Sequence, residues 1–204
     1  MGVHDIFRTL NIAQEMAEVY KLEMLNGDGF PRFMNDFVDM CKSRVAVPIN
    51  ISEYTELKDS DGKADVKGKY FRINQADGKH HYDILLKSEM NDCWHRFVKC
   101  KELFHALLDD GKDQYYSNDT LRNIEECLTD PPEASLALTS EWIAQVGAAE
   151  FLFPYKARLT HYKTDKTKDD FYKTAKLYKI PQDYIEIYLS SPYMDYFEVF
   201  SHHI

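Results

Sequence analysis

The sequence predicts a mostly helical α+β protein with a small antiparallel β-sheet, or hairpin, ahead of one central helix. Apolar residues recur at helical spacing through most of the 204 residues, which is the pattern of amphipathic helices. Residues 68–74 and 81–86 instead have a strand-like alternation, and Asp77-Gly78 between them is a typical hairpin turn. With only 8 glycines and 7 prolines, long unstructured linkers are not expected.

The first 57 residues contain two predicted helices and one predicted strand. Residues 4–26 place apolar side chains on one helical face, and residues 30–42 repeat the pattern with Pro31 near the start. Residues 45–57 contain a β-like apolar run interrupted by Pro48. Because proline cannot donate a hydrogen bond to a neighbouring strand, Pro48 indicates an edge strand or a bend.

Helices are predicted for most of the chain after residue 91. Their expected ranges are Trp94–Leu108, a helix from Ser117 or Asn118 to Cys127 that ends before Pro131-Pro132, Glu133–Phe153, Phe171–Tyr178 and Gln182–Leu189. Residues 163–170 are expected to form a solvated connector, and the tail from 190 to 204 is aromatic without a clear period. We divide the chain into N-terminal helices (1–44), a core (45–160) and a C-terminal helix pair with its tail (161–204), packed as one structural domain.

Composition narrows the possible partners. The net charge is −9 and the isoelectric point is near 5.3, which argues against a general phosphate-binding surface. The four cysteines include no C-x-x-C pair, so no zinc ribbon is indicated. Neither a signal-like N-terminus nor an apolar run of about 20 residues occurs. We therefore expect a cytoplasmic protein with reduced thiols and no membrane partner.

The central predicted helix contains Lys101-Glu102-Leu103-Phe104-His105. Zinc peptidases use H-E-x-x-H, in which two histidines one helical turn apart hold the metal and the glutamate is the general base. Here the glutamate and the second histidine are present, and Lys101 stands at the first histidine's position. A lysine ammonium has no lone pair for a metal, so it is expected to pair with Glu102 or Glu141 in a metal-free, salt-bridged remnant.

Arg96-Phe97 precedes this motif, and the segments Glu141–Gln145 and Ala148–Pro154 follow it on a second predicted helix. This context resembles the ImmA/IrrE family of zinc metallopeptidase-like proteins, whose second helix the two later segments match without gaps. The resemblance covers roughly residues 45–190 and implies a zincin-like fold. It also implies that Glu102 is the general base, that His105 and Glu141 are metal ligands, and that zinc is the cofactor. The sequence departs from the family pattern at Cys100, Lys101, Phe104 and Gln145.

Three functions remain open. The first is a non-catalytic regulatory or protein-binding module of bacterial, phage or mobile-element origin, whose partner is a repressor, an antitoxin or another regulator and which needs no cofactor. The second is an active zinc metalloprotease with an altered ligand set, completed by His80, His81 or His95, that cleaves a repressor or antitoxin. Cys100 lies about 140° around the helix from His105, so these two side chains do not converge without distortion. The third is nucleic-acid binding through the 171–189 helix pair, which has a basic bias and several tyrosines able to stack on bases.

Overall fold

Apolar side chains at helical spacing make most of the described chain helical, and the fold is α+β. The structure, a computed structural model, describes residues 3–23, 29–58, 62, 65–109, 136–162 and 165–201. The predicted helix ending at Cys127 and the break at Pro131-Pro132 lie outside these residues. The described helices are α1 (Val3–Glu23), α2 (Met34–Val45), α3 (Asp92–Leu108), α4 (Leu136–Leu152), α5 (Tyr155–His161), α6 (Lys168–Tyr178), α7 (Gln182–Tyr188) and α8 (Ser191–Ser201). None of them is both long and apolar enough to cross a bilayer.

The sheet has three strands, β1 (Ile49–Tyr54), β2 (Gly68–Asn74) and β3 (His80–Lys87), in the order β1-β3-β2. The predicted hairpin is confirmed, since β2 and β3 pair antiparallel and Gly78 takes the φ of 82° that its turn needs. The prediction of a wholly antiparallel sheet is wrong, because β1 pairs parallel with β3. The central position falls to β3 because it buries alternate apolar side chains, while β1 leaves most of its side chains at least partly exposed and lies at an edge.

Two helices, α2 and α6, begin several residues away from their predicted starts. The second helix starts at Met34 rather than Phe30, and the backbone N–H of Phe33 instead donates to the Tyr20 hydroxyl at 2.7 Å. The sixth helix starts at Lys168, because Thr167 and Asp170 form a reciprocal capping box there. The expected connector is therefore shorter than residues 163–170.

The aromatic tail is a helix, so the prediction of an aperiodic tail is wrong. Tyr193, Phe197 and Phe200 are buried at a spacing of four and then three residues, which places them on one face of α8. The rings of Tyr193 and Phe197 lie 5.3 and 5.2 Å from the buried guanidinium of Arg158. Phe200 packs edge-on against Phe7 of α1 with the ring centroids 5.4 Å apart. The end of the described chain thus packs on its own core.

Close packing of α3 against α4 depends on one glycine. Small residues of α4 are buried in the hydrophobic core beside α3, and at Gly147 the backbone faces the ring of Phe104. A Cβ atom added to Gly147 would lie 2.3 Å from Phe104 Cδ1, far inside van der Waals contact. Phe104 therefore occupies the space that a side chain at position 147 would need.

We predict that Gly147→Ala destabilises the natural protein but stabilises the Phe104→Ala variant. In the natural protein the added methyl clashes with Phe104 and outweighs the better helix propensity of alanine, so unfolding free energy falls by about 1–2 kcal/mol. Phe104→Ala alone costs about 3–5 kcal/mol. In that background Gly147→Ala stabilises by roughly 0.5–1 kcal/mol, because the clash is gone. A double-mutant cycle by urea denaturation measures this, and additive effects would refute the contact.

Candidate functional site

Two neighbouring helices carry the residues singled out by the sequence. Lys101, Glu102 and His105 lie on α3, with Lys101 and His105 one turn apart, and Glu141 lies on α4. The helix α3 is capped by Asn91, whose side chain accepts the backbone N–H of Trp94 at 3.1 Å.

Arg96, the arginine of the motif context, fixes this end of α3 in the fold. Its guanidinium donates to the backbone carbonyls of Arg32, at 2.7 Å, and Lys179, at 3.3 Å. These bonds tie the start of α3 to the segment before α2 and to the end of α6.

The ammonium of Lys101 lies between two carboxylates. Its Nζ is 2.8 Å from Glu141 Oε2 and 3.0 Å from Glu102 Oε1. Lys101 and Glu102 have no exposed surface, and Glu141 is 3% exposed. At such distances in a dry environment the ion pairs offset a large desolvation cost, so the three side chains are stable only together.

His105 completes the group on the other oxygen of Glu141. Its Nε2 lies 3.0 Å from Glu141 Oε1, although that pair is not aligned as a hydrogen bond. Its Nδ1 lies 3.3 Å from the Ser140 hydroxyl. The imidazole stacks on the ring of Tyr70 in β2, with centroids 5.6 Å apart and planes 18° apart. Glu141 therefore bridges the Lys101 ammonium and the His105 ring.

Backbone of β2 covers Glu102. A Cβ atom at Gly68 would lie 2.6 Å from Glu102 Oε1 and 2.5 Å from Val98 Cγ1. Only a glycine allows the strand to run this close to α3. The carboxylate that the motif would use as a base is thus enclosed between a strand and a helix.

The two glutamates have opposite pKa shifts. Burial raises the pKa of Glu102, and the attraction of Lys101 and His105 only partly offsets it. Burial acts on Glu141 in the same direction, but there Lys101 and His105 outweigh it and the pKa falls to about 2. Glu141 is therefore the permanent anion that balances Lys101, and Glu102 is the carboxyl that more readily holds a proton.

These residues do not fit a zinc ion. Catalytic zinc sites use three protein ligands with available lone pairs, and an ammonium offers none. Nζ of Lys101 also occupies the space between the two carboxylates, at hydrogen-bond distance from each. Across the part of the chain that the structure describes, no group of three or more His, Cys, Asp or Glu side chains is arranged to hold a metal ion.

The other proposed ligands lie elsewhere. Cys100 is fully buried, and burial raises its thiol pKa. The side chains that act on it electrostatically are Cys41, Arg96 and Arg32 rather than the lysine group, by which we mean Lys101, Glu102, His105 and Glu141. His95 contacts Glu53 at 3.0 Å. His81 lies 3.5 Å from Asp83, and His80 lies 3.3 Å from the Tyr82 hydroxyl. These contacts are with side chains of β1 and β3 rather than with the lysine group.

Sequence reasoning missed three residues that shape the site: Ser140, Tyr70 and Gly68. Ser140 immediately precedes Glu141, and Tyr70 lies on the buried face of the strand alternation. That alternation was a usable signal for Tyr70. Nothing in the sequence indicated that Gly68 would approach Glu102, because the contact depends on how the strand crosses α3.

The helix pair proposed to bind nucleic acid, α6 and α7, buries most of its tyrosines in the hydrophobic core. Tyr178, Tyr184 and Tyr188 are each no more than 5% exposed, so they are not available to stack on bases. Tyr172 is 56% exposed. Lys173 pairs with Asp169 on the same helix at 2.5 Å.

Comparison with known proteins finds no family model that matches the chain and no curated protein that matches it.

We predict that Lys101→Met destabilises the protein by about 3–5 kcal/mol at pH 7, because it leaves Glu141 buried without its cation. The loss is smaller near pH 4, where protonation removes part of the uncompensated charge. Lys176→Met, at an exposed lysine, is the matched control and changes stability by less than about 0.5 kcal/mol. Urea denaturation at both pH values measures this, and equal effects of the two substitutions would contradict a structural ion pair.

We predict opposite pH trends for Glu141→Gln and Glu102→Gln. The pKa of Glu141 falls from 4.5 to about 2 on folding. The stability of the natural protein relative to the Glu141→Gln variant therefore rises as pH increases from about 2 to 4.5, and the difference persists above pH 4.5. The pKa of Glu102 is raised on folding. The stability of the natural protein relative to the Glu102→Gln variant therefore falls as pH rises above about 4.5. Thermal unfolding across this range measures both trends, and trends of the same sign would refute the assignment.

Proposed function

We propose that this protein is a non-catalytic, metallopeptidase-like module in which a lysine ammonium replaces the zinc ion of ImmA/IrrE-type proteins. The observation that carries the proposal is the position of Lys101 Nζ, at 2.8 and 3.0 Å from the two carboxylates. The positive charge that holds the two carboxylates together is thus the side chain of Lys101 and not a bound metal ion. The cluster therefore stabilises the fold without a cofactor.

Peptide hydrolysis needs a base that can reach a water molecule and a group that polarises the scissile carbonyl. Glu102 is fully buried, bonded to Lys101 and enclosed by the backbone at Gly68. These features support the loss of catalysis and oppose the reading as a protease with an altered ligand set.

A scaffold that has exchanged its reactive centre for an ion pair keeps its shape and its surface. We therefore propose that the protein acts by binding another protein. Its resemblance to ImmA/IrrE proteins suggests a repressor, an antitoxin or another regulator of bacterial, phage or mobile-element origin. The burial of Tyr178, Tyr184 and Tyr188 favours a protein partner over nucleic acid.

We predict that Lys101→His converts the group into a zinc site. The new histidine stands one helical turn before His105 and beside Glu141, which supplies three ligands of the types that zinc prefers. The variant is expected to retain about one zinc per chain after dialysis and to unfold at a higher temperature with zinc. The natural protein is expected to retain less than about 0.1 zinc per chain.

Lys99→His is the matched control, because residue 99 lies two positions earlier on α3 and roughly 160° around the helix. It makes the same chemical change away from Glu141 and should not raise zinc retention. Mass spectrometry of the metal content measures all three proteins. Stoichiometric zinc in the natural protein would contradict the proposal and favour the protease. Equal zinc in the two histidine variants would show that the Lys101 position has no special geometry.

A further inference from the structure

The outer edge of β1 has free backbone groups. The carbonyl of Pro48 accepts the backbone N–H of Tyr82 in β3 at 2.9 Å, and the carbonyl of Tyr54 accepts the N–H of the residue after β3 at 2.8 Å. Because backbone direction alternates along a strand, the residues between these two bonds that face away from β3 are Ile49, Ile51 and Glu53. Among the described residues, nothing hydrogen-bonds to the outward N–H and C=O groups of these three.

This edge is accessible to another chain. From Asn50 onward the side chains of β1 are exposed apart from the half-buried Ile51, and Tyr54 is 46% exposed. The helix α3 packs beneath β2 and β3. The chain after β1 crosses the end of the sheet, where Lys58 bridges to Asp65 before β2 begins. Neither of these segments covers the outer side of β1.

The strand β1 lacks the features that usually prevent an edge strand from pairing, such as a bulge, an inward lysine or a blocking proline. It pairs with β3 in continuous register, without a bulge. Pro48, just before the strand, directs its backbone toward β3 and so removes no outward donor. Glu53 is the one charged residue of β1, and its carboxylate lies 3.0 Å from His95 of α3. This edge is therefore suited to pair with another strand.

The sequence of β1 is self-complementary about Ile51. Two copies related by a twofold axis through this residue run antiparallel, so that Ile51 pairs with its own copy. In this register Asn50 lies opposite Ser52, which matches an amide with a hydroxyl. Tyr54 lies opposite Pro48, which would cover a ring that is exposed in the single chain.

We propose that β1 is a dimer interface and that its partner is a second copy of this chain. The twofold axis joins the two three-stranded sheets into one, in the order β2-β3-β1-β1-β3-β2, with both α3 helices on the same side. The two Glu53 residues lie four positions apart along the paired strands, about 13 Å, which exceeds the screening length of about 8 Å at physiological salt. Their charges therefore do not oppose pairing.

The contact between one strand and its copy is smaller than a standard protein interface, so the dimer is weak. Sedimentation equilibrium of the full chain between about 1 and 500 µM measures the association. We expect a monomer–dimer equilibrium with a dissociation constant between about 1 and 100 µM. The inference does not depend on the proposed function, since it concerns only the sheet edge.

A proline on each edge of the sheet locates the interface. Ile51→Pro removes the outward N–H at the twofold axis without removing a bond to β3, so it should weaken dimerisation at least about tenfold. Asn74→Pro is the matched control, because the N–H of Asn74 faces away from β3 on the opposite edge, that of β2. It should leave the dimer affinity unchanged.

Two double variants at exposed positions test the register, and they decide the proposal even if Ile51→Pro does not fold. Asn50→Lys with Ser52→Glu places opposite charges across the twofold axis, whereas Asn50→Lys with Ser52→Lys places like charges there. The first double variant is expected to dimerise about tenfold more tightly than the second.

The proposal is overturned by three results. One is a monomer at every concentration up to about 500 µM. Another is a dimer that the two proline variants weaken equally, with both variants folded by circular dichroism. The third is equal dimerisation of the two double variants, which would mean that the copies meet elsewhere.

Discussion

The ion pair between Lys101 and Glu141 is the interaction on which the centre of this structure depends. Both groups are buried, and their charged atoms lie 2.8 Å apart between α3 and α4. Neither charge is tolerable at that depth without the other, so the pair fixes the distance and register of the two helices. Glu102 and His105 then complete the polar cluster at the remaining positions.

Two glycines let the surrounding structure close on this cluster. Gly147 admits the ring of Phe104 between the helices, and Gly68 admits the strand β2 over Glu102. The result is a packed interior where a peptidase would need an open cleft. Phe104 and Lys101 thus both contribute to a closed interior, because Phe104 fills the space between the helices and Lys101 supplies the charge that the carboxylates need.

Much of this arrangement could be predicted from the sequence. The hairpin was indicated by Asp77-Gly78, and the juxtaposition of Lys101 and Glu141 was expected from the motif and its resemblance. The parallel pairing of β1 was not predictable from local pattern, because it depends on which strand takes the centre of the sheet. Tyr193, Phe197 and Phe200 have helical spacing, but the helix α8 was not predicted. The tail contains so many aromatic residues that their helical period is not distinct in the sequence.

The central claim is that the Lys101 ammonium, and not a metal ion, lies between the carboxylates of Glu102 and Glu141. Crystals grown with excess zinc and measured at the zinc absorption edge test this directly. The account predicts no anomalous peak among Lys101, Glu102, His105 and Glu141, with Nζ of Lys101 at hydrogen-bond distance from both carboxylates. An anomalous peak for a zinc ion bound by His105 and Glu141, with the Lys101 side chain displaced, would contradict it.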